Sequence, residues 1–100
     1  MPMLTEDQII AYIKSHKNAF RETYGILSIG LFGSFARKEQ TDESDIDIAI
    51  EMVPEKKNLH NFLAFKRFLE KELARKVDLG IESALKPEAR KIIEKEIIYV

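Results

Sequence analysis

Apolar positions near the start of this chain recur every three or four residues, which is the spacing of one face of a helix. Thr5 and Gln8 have the spacing of a capping box, in which each side chain bonds the other's backbone N–H. Gly25 is a residue type that commonly ends helices. We therefore predict a first amphipathic helix between Thr5 and Gly25, whose apolar stripe consists of Ile9, Ile13, Phe20 and Tyr24.

The period then changes, and three short segments indicate strands. Residues 26–32 are mostly apolar and include β-branched side chains, as in a buried strand. Residues 45–51 alternate strictly, and residues 76–81 place apolar side chains at every second position. In the second segment one face carries Ile46, Ile48 and Ile50, and the other carries Asp45, Asp47, Ala49 and Glu51.

Helical segments separate and follow these strands. We predict a short helix over residues 35–39 and a long helix over residues 58–73 capped by Asn58. Pro87 suits the first turn of a last helix, whose apolar positions are Ala89, Ile92, Ile93 and Ile97. The order predicts an α/β or α+β fold, with a small mixed sheet of three to four strands and helices packed on one side.

Length and composition limit the classes of function. One hundred residues fit a single domain, which we expect to span residues 1–100. A formal net charge of −1 argues against direct binding of nucleic acid, which needs a basic surface. The chain has no cysteine, no apolar run of membrane-spanning length and no signal-peptide pattern. We therefore expect a cytoplasmic protein that does not bind membranes.

Asp45 and Asp47 are the first candidate site residues. Two residues apart on a strand, they project from the same face, and their like charges repel each other. A divalent cation between them would remove that cost, so the pair predicts a metal site. The alternatives are an exposed strand without a ligand and a weak calcium loop.

Gly33 and Ser34 precede this acidic strand and suit a turn that receives phosphate. Backbone amides at the start of a helix would bind phosphate oxygens, Gly33 would allow close approach, and the Ser34 hydroxyl would add a donor. Arg37, about one helical turn further on, would support a phosphate or carboxylate. The alternatives are a simple turn between a strand and a helix, and a solvated arginine.

These two motifs together resemble a known family. Gly33-Ser34-Phe35-Ala36-Arg37, a polar spacer and Ser44-Asp45-Ile46-Asp47-Ile48 resemble the nucleotidyltransferase superfamily that includes DNA polymerase β. The small size is similar to that of the minimal nucleotidyltransferases, the antitoxin partners of HEPN-domain ribonuclease toxins. Val77-Asp78-Leu79 resembles the strand with the family's third carboxylate, and residues 84–100 resemble its C-terminal helix.

The resemblance implies a mechanism and a partner. Asp45, Asp47 and Asp78 would bind two Mg²⁺ ions, and Asp78 would also accept the proton of the attacking hydroxyl. Gly33 and Ser34 would bind the triphosphate of ATP. AMP would be transferred to a hydroxyl, expected to be a tyrosine of a HEPN toxin, which makes the chain an antitoxin of the type VII class. We expect a homodimer or a hetero-oligomer with the toxin.

One position departs from the family pattern, and two other functions stay open. Lys38 stands where many family members have glycine after the arginine, which bears on loop shape more than on chemistry. The first alternative is an antitoxin without catalytic activity that neutralises its toxin by binding alone. The second is a nucleotide sensor that transfers nothing.

Overall fold

The computed structural model describes residues 4–100, which form four helices and four strands. Three of the strands match the predicted segments to within a residue at each end, and the sheet is mixed, so the predicted α+β class is confirmed. Two short 3₁₀ turns, Pro54–Lys56 and Glu82–Ala84, complete the described part. In chain order the elements are α1 Glu6–Tyr24, β1 Ile26–Phe32, α2 Gly33–Ala36, β2 Ile46–Met52, α3 Leu59–Leu73, β3 Val77–Ile81, α4 Pro87–Glu94 and β4 Ile98–Tyr99.

The four strands form one sheet in the order β3-β2-β1-β4. Strand β1 is antiparallel to both β2 and β4, whereas β2 and β3 run parallel. Because successive side chains of a strand point to opposite faces, each strand divides its residues between a core face and a second face. We call the second face the site face, since it carries Asp47 and Asp78.

Helices α1 and α3 pack on the core face, as predicted. The apolar residues of β2 that were expected on one face are fully buried there. Phe20 meets Phe65 and Phe68 edge-on, with ring centroids 5.0 Å and 5.8 Å apart, and these contacts join α1 to α3. The core consists mainly of Ile9, Ile13, Phe20, Ile29, Leu31, Phe35, Ile46, Ile48, Ile50, Phe65, Leu69, Val77 and Leu79.

The predicted caps of the two long helices are confirmed. Thr5 and Gln8 exchange the two hydrogen bonds of a capping box, with N···O distances of 2.9 and 3.2 Å. Gly25 ends α1 with a φ of 71°, in the left-handed region that glycine favours. Asn58 caps α3 by accepting a hydrogen bond from the Asn61 N–H at 2.8 Å.

The site face has a row of small residues that receives the C-terminal segment. Gly30, Ala49 and Gly80 lie side by side on β1, β2 and β3. A Cβ atom at Gly30 would overlap the side chain of Ile97, and one at Gly80 would lie 3.8 Å from Leu85. The small side chains therefore leave the space in which residues before and after α4 pack.

The predicted C-terminal helix is wrong at its end. Helix α4 ends at Glu94, and Ile98–Tyr99 form the short strand β4 at the edge of β1. The reason is that β1 leaves one edge unpaired and the β-branched pair Ile97-Ile98 favours extended backbone. The Tyr99 hydroxyl also donates a hydrogen bond to Glu82.

The short second helix is also shifted from its predicted place. It spans Gly33–Ala36 rather than residues 35–39, because the Gly33 carbonyl already accepts a helical hydrogen bond from the Arg37 N–H at 3.1 Å. Strand β2 begins one residue later than predicted and ends at Met52, so Asp45 immediately precedes it. Strand β3 likewise begins at Val77.

Within residues 4–100, none of the helices combines the length and the apolar character needed to cross a membrane.

The Glu51 side chain connects β2 to two neighbouring turns. It accepts hydrogen bonds from Lys57 Nζ at 2.8 Å and from the Ser83 N–H at 3.3 Å. Burial alone would raise the pKa of Glu51, but hydrogen bonds from Lys57 and Ser83 outweigh it and lower the pKa to about 2. The ionised form therefore stabilises the fold.

We predict that Glu51→Gln lowers the free energy of unfolding by about 0.5–1 kcal/mol at pH 7, since both partners are partly solvated. A lowered pKa in the folded state means that the contribution is complete above pH about 4.3 and is lost as pH falls towards 2. Urea denaturation at several pH values measures this. Glu55→Gln, which removes an exposed carboxylate nearby, should change little, and equal losses in both variants would contradict the prediction.

Candidate functional site

The centre of the site is a row of three residues across the sheet. Phe32 on β1 pairs with Asp47 on β2, and Asp47 lies beside Asp78 on β3. Neighbouring strands are about 4.8 Å apart, so the two aspartates are adjacent on the site face. The structure thus places the second and third predicted carboxylates next to each other, although their positions in the chain are 31 apart.

Gly33 follows Phe32 directly and turns the chain away from the sheet. Its φ is 74°, in the left-handed region, and a Cβ atom there would overlap the carboxylate of Asp47. Both the backbone conformation and the lack of space therefore require glycine. The turn predicted to bind phosphate consequently lies against one of the carboxylates predicted to bind metal.

Asp45 and Asp78 are exposed, whereas Asp47 is partly buried. In the part of the chain that the structure describes, no three acidic or histidine side chains converge on one point where a metal ion would be held. Asp45 lies just ahead of β2, so the strand does not fix its direction. The three predicted ligands therefore share one region without forming a closed cluster.

The electrostatics of Asp47 show how close these charges are. Partial burial, together with repulsion from the Asp78 and Asp45 carboxylates, raises the pKa of Asp47 to about 6. Arg37 opposes this shift. At neutral pH the site therefore holds mutually repelling carboxylates.

This donor set fits a divalent cation. Carboxylate oxygens are the ligands that Mg²⁺ prefers, and a cation would remove the repulsion that raises the pKa of Asp47. Exposed side chains such as Asp45 and Asp78 change rotamer within nanoseconds, so they are able to turn towards an ion beside Asp47.

Arg37 and the Gly33 amide both bind a residue that the sequence did not single out. Glu96, in the turn between α4 and β4, accepts a hydrogen bond from the Gly33 N–H at 3.2 Å and from Arg37 Nη1 at 2.7 Å. Arg37 also contacts Glu39 at 3.1 Å. The structure thus shows Arg37 in carboxylate contacts, one of the two roles expected for it.

The loop between Ala36 and Asp45 is held by Arg75, just after α3. Arg75 Nη1 donates to the carbonyl oxygens of Thr41 and Ser44, at 3.0 Å in each case. Its guanidinium also lies 5.6 Å from the centre of the buried Phe35 ring. Arg75 therefore connects the short helix α2, the loop and the start of the acidic strand.

Sequence reasoning missed both Glu96 and Arg75. Neither residue belongs to a local motif, and each acts on residues more than 30 positions away. For Glu96, the one signal in the sequence is the β-branched pair that follows it, which indicates that the chain returns to the sheet after α4. The sequence gives no such signal for Arg75.

A family model described as a nucleotidyltransferase domain matches residues 13–100. The chain is 37% identical over 100 residues to the protein adenylyltransferase MntA of Thermococcus cleftensis, and the match covers 100% of both chains. It is 41% identical over 99 residues to a Methanocaldococcus jannaschii protein described as a candidate protein adenylyltransferase, covering 98% of this chain and 100% of the relative.

Solved structures share this fold. A structure described as a candidate minimal nucleotidyltransferase superposes with a TM-score of 0.81 and 25% identity, over 95% of both chains. A toxin–antitoxin structure with AMP-PNP gives a TM-score of 0.69 and 22% identity, over 96% of this chain and 72% of that chain. The second likeness shows a common fold alone.

We predict that Asp47→Asn stabilises the metal-free protein at pH 7 by about 1 kcal/mol, a value kept small because Asp47 is partly solvated. This gain would raise Tm by about 4–8 °C. A raised pKa in the folded state means that ionisation of Asp47 opposes folding. The resulting loss of stability is absent below pH about 4, where Asp47 is protonated in both states, and complete above pH about 6. The gain should therefore disappear at pH 4. Asp42→Asn, an exposed matched control, should change Tm little at either pH, and a lower Tm for Asp47→Asn at pH 7 would contradict the prediction.

Lys38, the departure from the family pattern, has a φ of 59°, in the left-handed region. We predict that Lys38→Gly raises the free energy of unfolding by about 0.5–1 kcal/mol, because glycine adopts this conformation without a Cβ clash. Chemical denaturation measures the change. Lys38→Ala retains the Cβ atom and should give no gain; a gain of the same size would show that removal of the lysine charge is responsible.

Proposed function

Because the chain belongs to the nucleotidyltransferase domain family, we propose that it is a protein adenylyltransferase that transfers AMP from ATP to a hydroxyl group of a partner protein. The family expected from the sequence motifs is thereby confirmed. The observation that carries the proposal is the adjacency of Gly33, Asp47 and Asp78, which places a phosphate-binding turn beside two carboxylates.

In the proposed reaction the acceptor hydroxyl oxygen attacks the α-phosphorus of ATP. The bond from this phosphorus to the oxygen that bridges to the β-phosphate breaks, and pyrophosphate leaves. The Gly33 N–H and the Ser34 hydroxyl hold oxygens of the β- and γ-phosphates in position, and the Arg37 guanidinium supports this contact. Asp78, exposed at the edge of the row, receives the proton of the attacking hydroxyl.

Asp45, Asp47 and Asp78 would hold Mg²⁺ beside the triphosphate. When bound, the ion supplies positive charge that offsets the negative charge developing on the transferred and leaving groups. The raised pKa of Asp47 supports this role, because carboxylates that repel one another gain most from a shared cation.

The proposed acceptor is a tyrosine on a HEPN-domain toxin, which would make this chain an antitoxin. The fold is shared with a chain of a toxin–antitoxin structure solved with AMP-PNP, and a relative that matches along the whole chain is named a protein adenylyltransferase. A protein acceptor also suits a site whose third carboxylate is exposed, because the hydroxyl has to reach Asp78 from outside.

The test is intact mass spectrometry of a co-expressed HEPN-domain toxin after incubation with this protein, ATP and Mg²⁺. We predict a mass gain of one or more AMP units. Asp45→Asn should slow the transfer about 100-fold or more, because a lost metal ligand removes several kcal/mol of charge stabilisation. Asp42→Asn removes another exposed carboxylate, in the preceding loop, and should leave the rate unchanged.

Two outcomes would contradict the proposal. Equal rates for Asp45→Asn and the unsubstituted protein would exclude Asp45 from the proposed metal site. No mass gain, with a tight complex and full neutralisation by the Asp45→Asn, Asp47→Asn, Asp78→Asn triple variant, would establish an antitoxin that acts by binding alone.

A further inference from the structure

One carboxylate that belongs to no predicted motif lies inside the candidate site. The side chain of Glu96 accepts from the Gly33 N–H at 3.2 Å and from Arg37 Nη1 at 2.7 Å. These are two of the donors that the proposed function assigns to the phosphate groups of ATP. A carboxylate presents two oxygens to such donors, as one edge of a phosphate does.

The position of Glu96 is electrostatically unfavourable on one side. Its charge is among those that raise the pKa of Asp47, so it adds to the repulsion in the site. Arg37 provides the compensating positive charge. A group held by two donors and repelled by a neighbouring carboxylate is tied more weakly than its short contacts alone would indicate.

The backbone at Glu96 is held by hydrogen bonds, whereas its side chain is partly exposed and able to turn towards solvent. The Glu96 and Ile97 N–H groups both donate to the Ile93 carbonyl, at 3.0 and 2.9 Å, and Ile97 packs against Gly30. The Glu96 side chain is 20% exposed and its partner Arg37 is 46% exposed. Rotation of the Glu96 side chain alone would therefore free both donors without moving the sheet.

We infer that Glu96 occupies the phosphate position until the nucleotide binds, and that it thereby sets the affinity of this chain for nucleotides. This inference rests on the proposed function, since it needs Gly33 and Arg37 to contact phosphate. Binding exchanges the Glu96 carboxylate for phosphate oxygens at the same two donors. Glu96 is thus a positioning residue and takes no part in bond making.

The consequence is a measurable change in affinity. When the competent state is a minor fraction of the molecules, the apparent Kd rises in inverse proportion to that fraction. Glu96→Gln keeps the size of the side chain but loses its charge, which weakens the contact with Arg37. We predict that it binds a nonhydrolysable ATP analogue about three- to tenfold more tightly than the unsubstituted protein.

The experiment is isothermal titration calorimetry of the full chain with three probes. The ATP analogue and inorganic tripolyphosphate should both bind Glu96→Gln more tightly, whereas AMP, which lacks the β- and γ-phosphates, should show no change. Glu94→Gln is the matched control, because it removes the same charge two residues away in the chain. Among the described residues, Glu94 forms an ion pair only with Arg90. If Glu96→Gln fails to fold, Glu96→Asp, whose shorter side chain retracts from both donors, takes its place with the same expectation.

Each outcome decides a different point. Unchanged or weaker binding of the ATP analogue by Glu96→Gln, with normal binding by the unsubstituted protein, would overturn the inference and leave the proposed function intact. A gain that is equally large for AMP would also overturn it, because the effect would then be a general loss of repulsion. Absence of binding in every variant would overturn the proposed use of ATP and the inference with it.

Discussion

The close approach of Gly33 to the Asp47 carboxylate is the constraint on which the rest of the site depends. Strand β1 ends opposite Asp47, and the next residue has to turn away without a side chain. Any Cβ atom at that point would force the turn and the acidic strand apart, and a left-handed φ would strain it further. One glycine therefore fixes the turn after β1 against the carboxylate of Asp47.

The two faces of the sheet have different roles, since one packs against the helices of the core and the other carries the candidate site. On the core face, the isoleucines of β2 pack against α1 and α3, and this packing holds the strand in place although it carries aspartates, which are poor strand formers. On the site face, the small residues Gly30, Ala49 and Gly80 leave room for the C-terminal segment. That segment in turn brings Glu96 to Gly33. The small residues of the sheet therefore determine where the Glu96 charge lies.

Much of this arrangement could be predicted, because its determinants are local in the sequence. The capping box at Thr5, the Asn58 cap and the alternation in β2 each involve a few neighbouring residues, and all were predicted correctly. Strand β4 and the contacts of Glu96 and Arg75 could not be predicted in the same way. They depend on which edge of the sheet is left unpaired and on which distant backbone atoms lie within hydrogen-bonding distance. The local spacing of apolar and polar residues carries no information about either.

The distance along the chain between the parts of the site has a consequence for folding. The hydrogen bonds from Gly33 and Arg37 to Glu96 span 63 and 59 residues, whereas the turn and the acidic strand are separated by a short loop. Contacts between distant residues carry a larger cost in loop entropy and form late. The Gly33 amide therefore becomes protected from hydrogen exchange only once the C-terminal segment has docked, so this single proton distinguishes a completed fold from a sheet that has formed without its last strand.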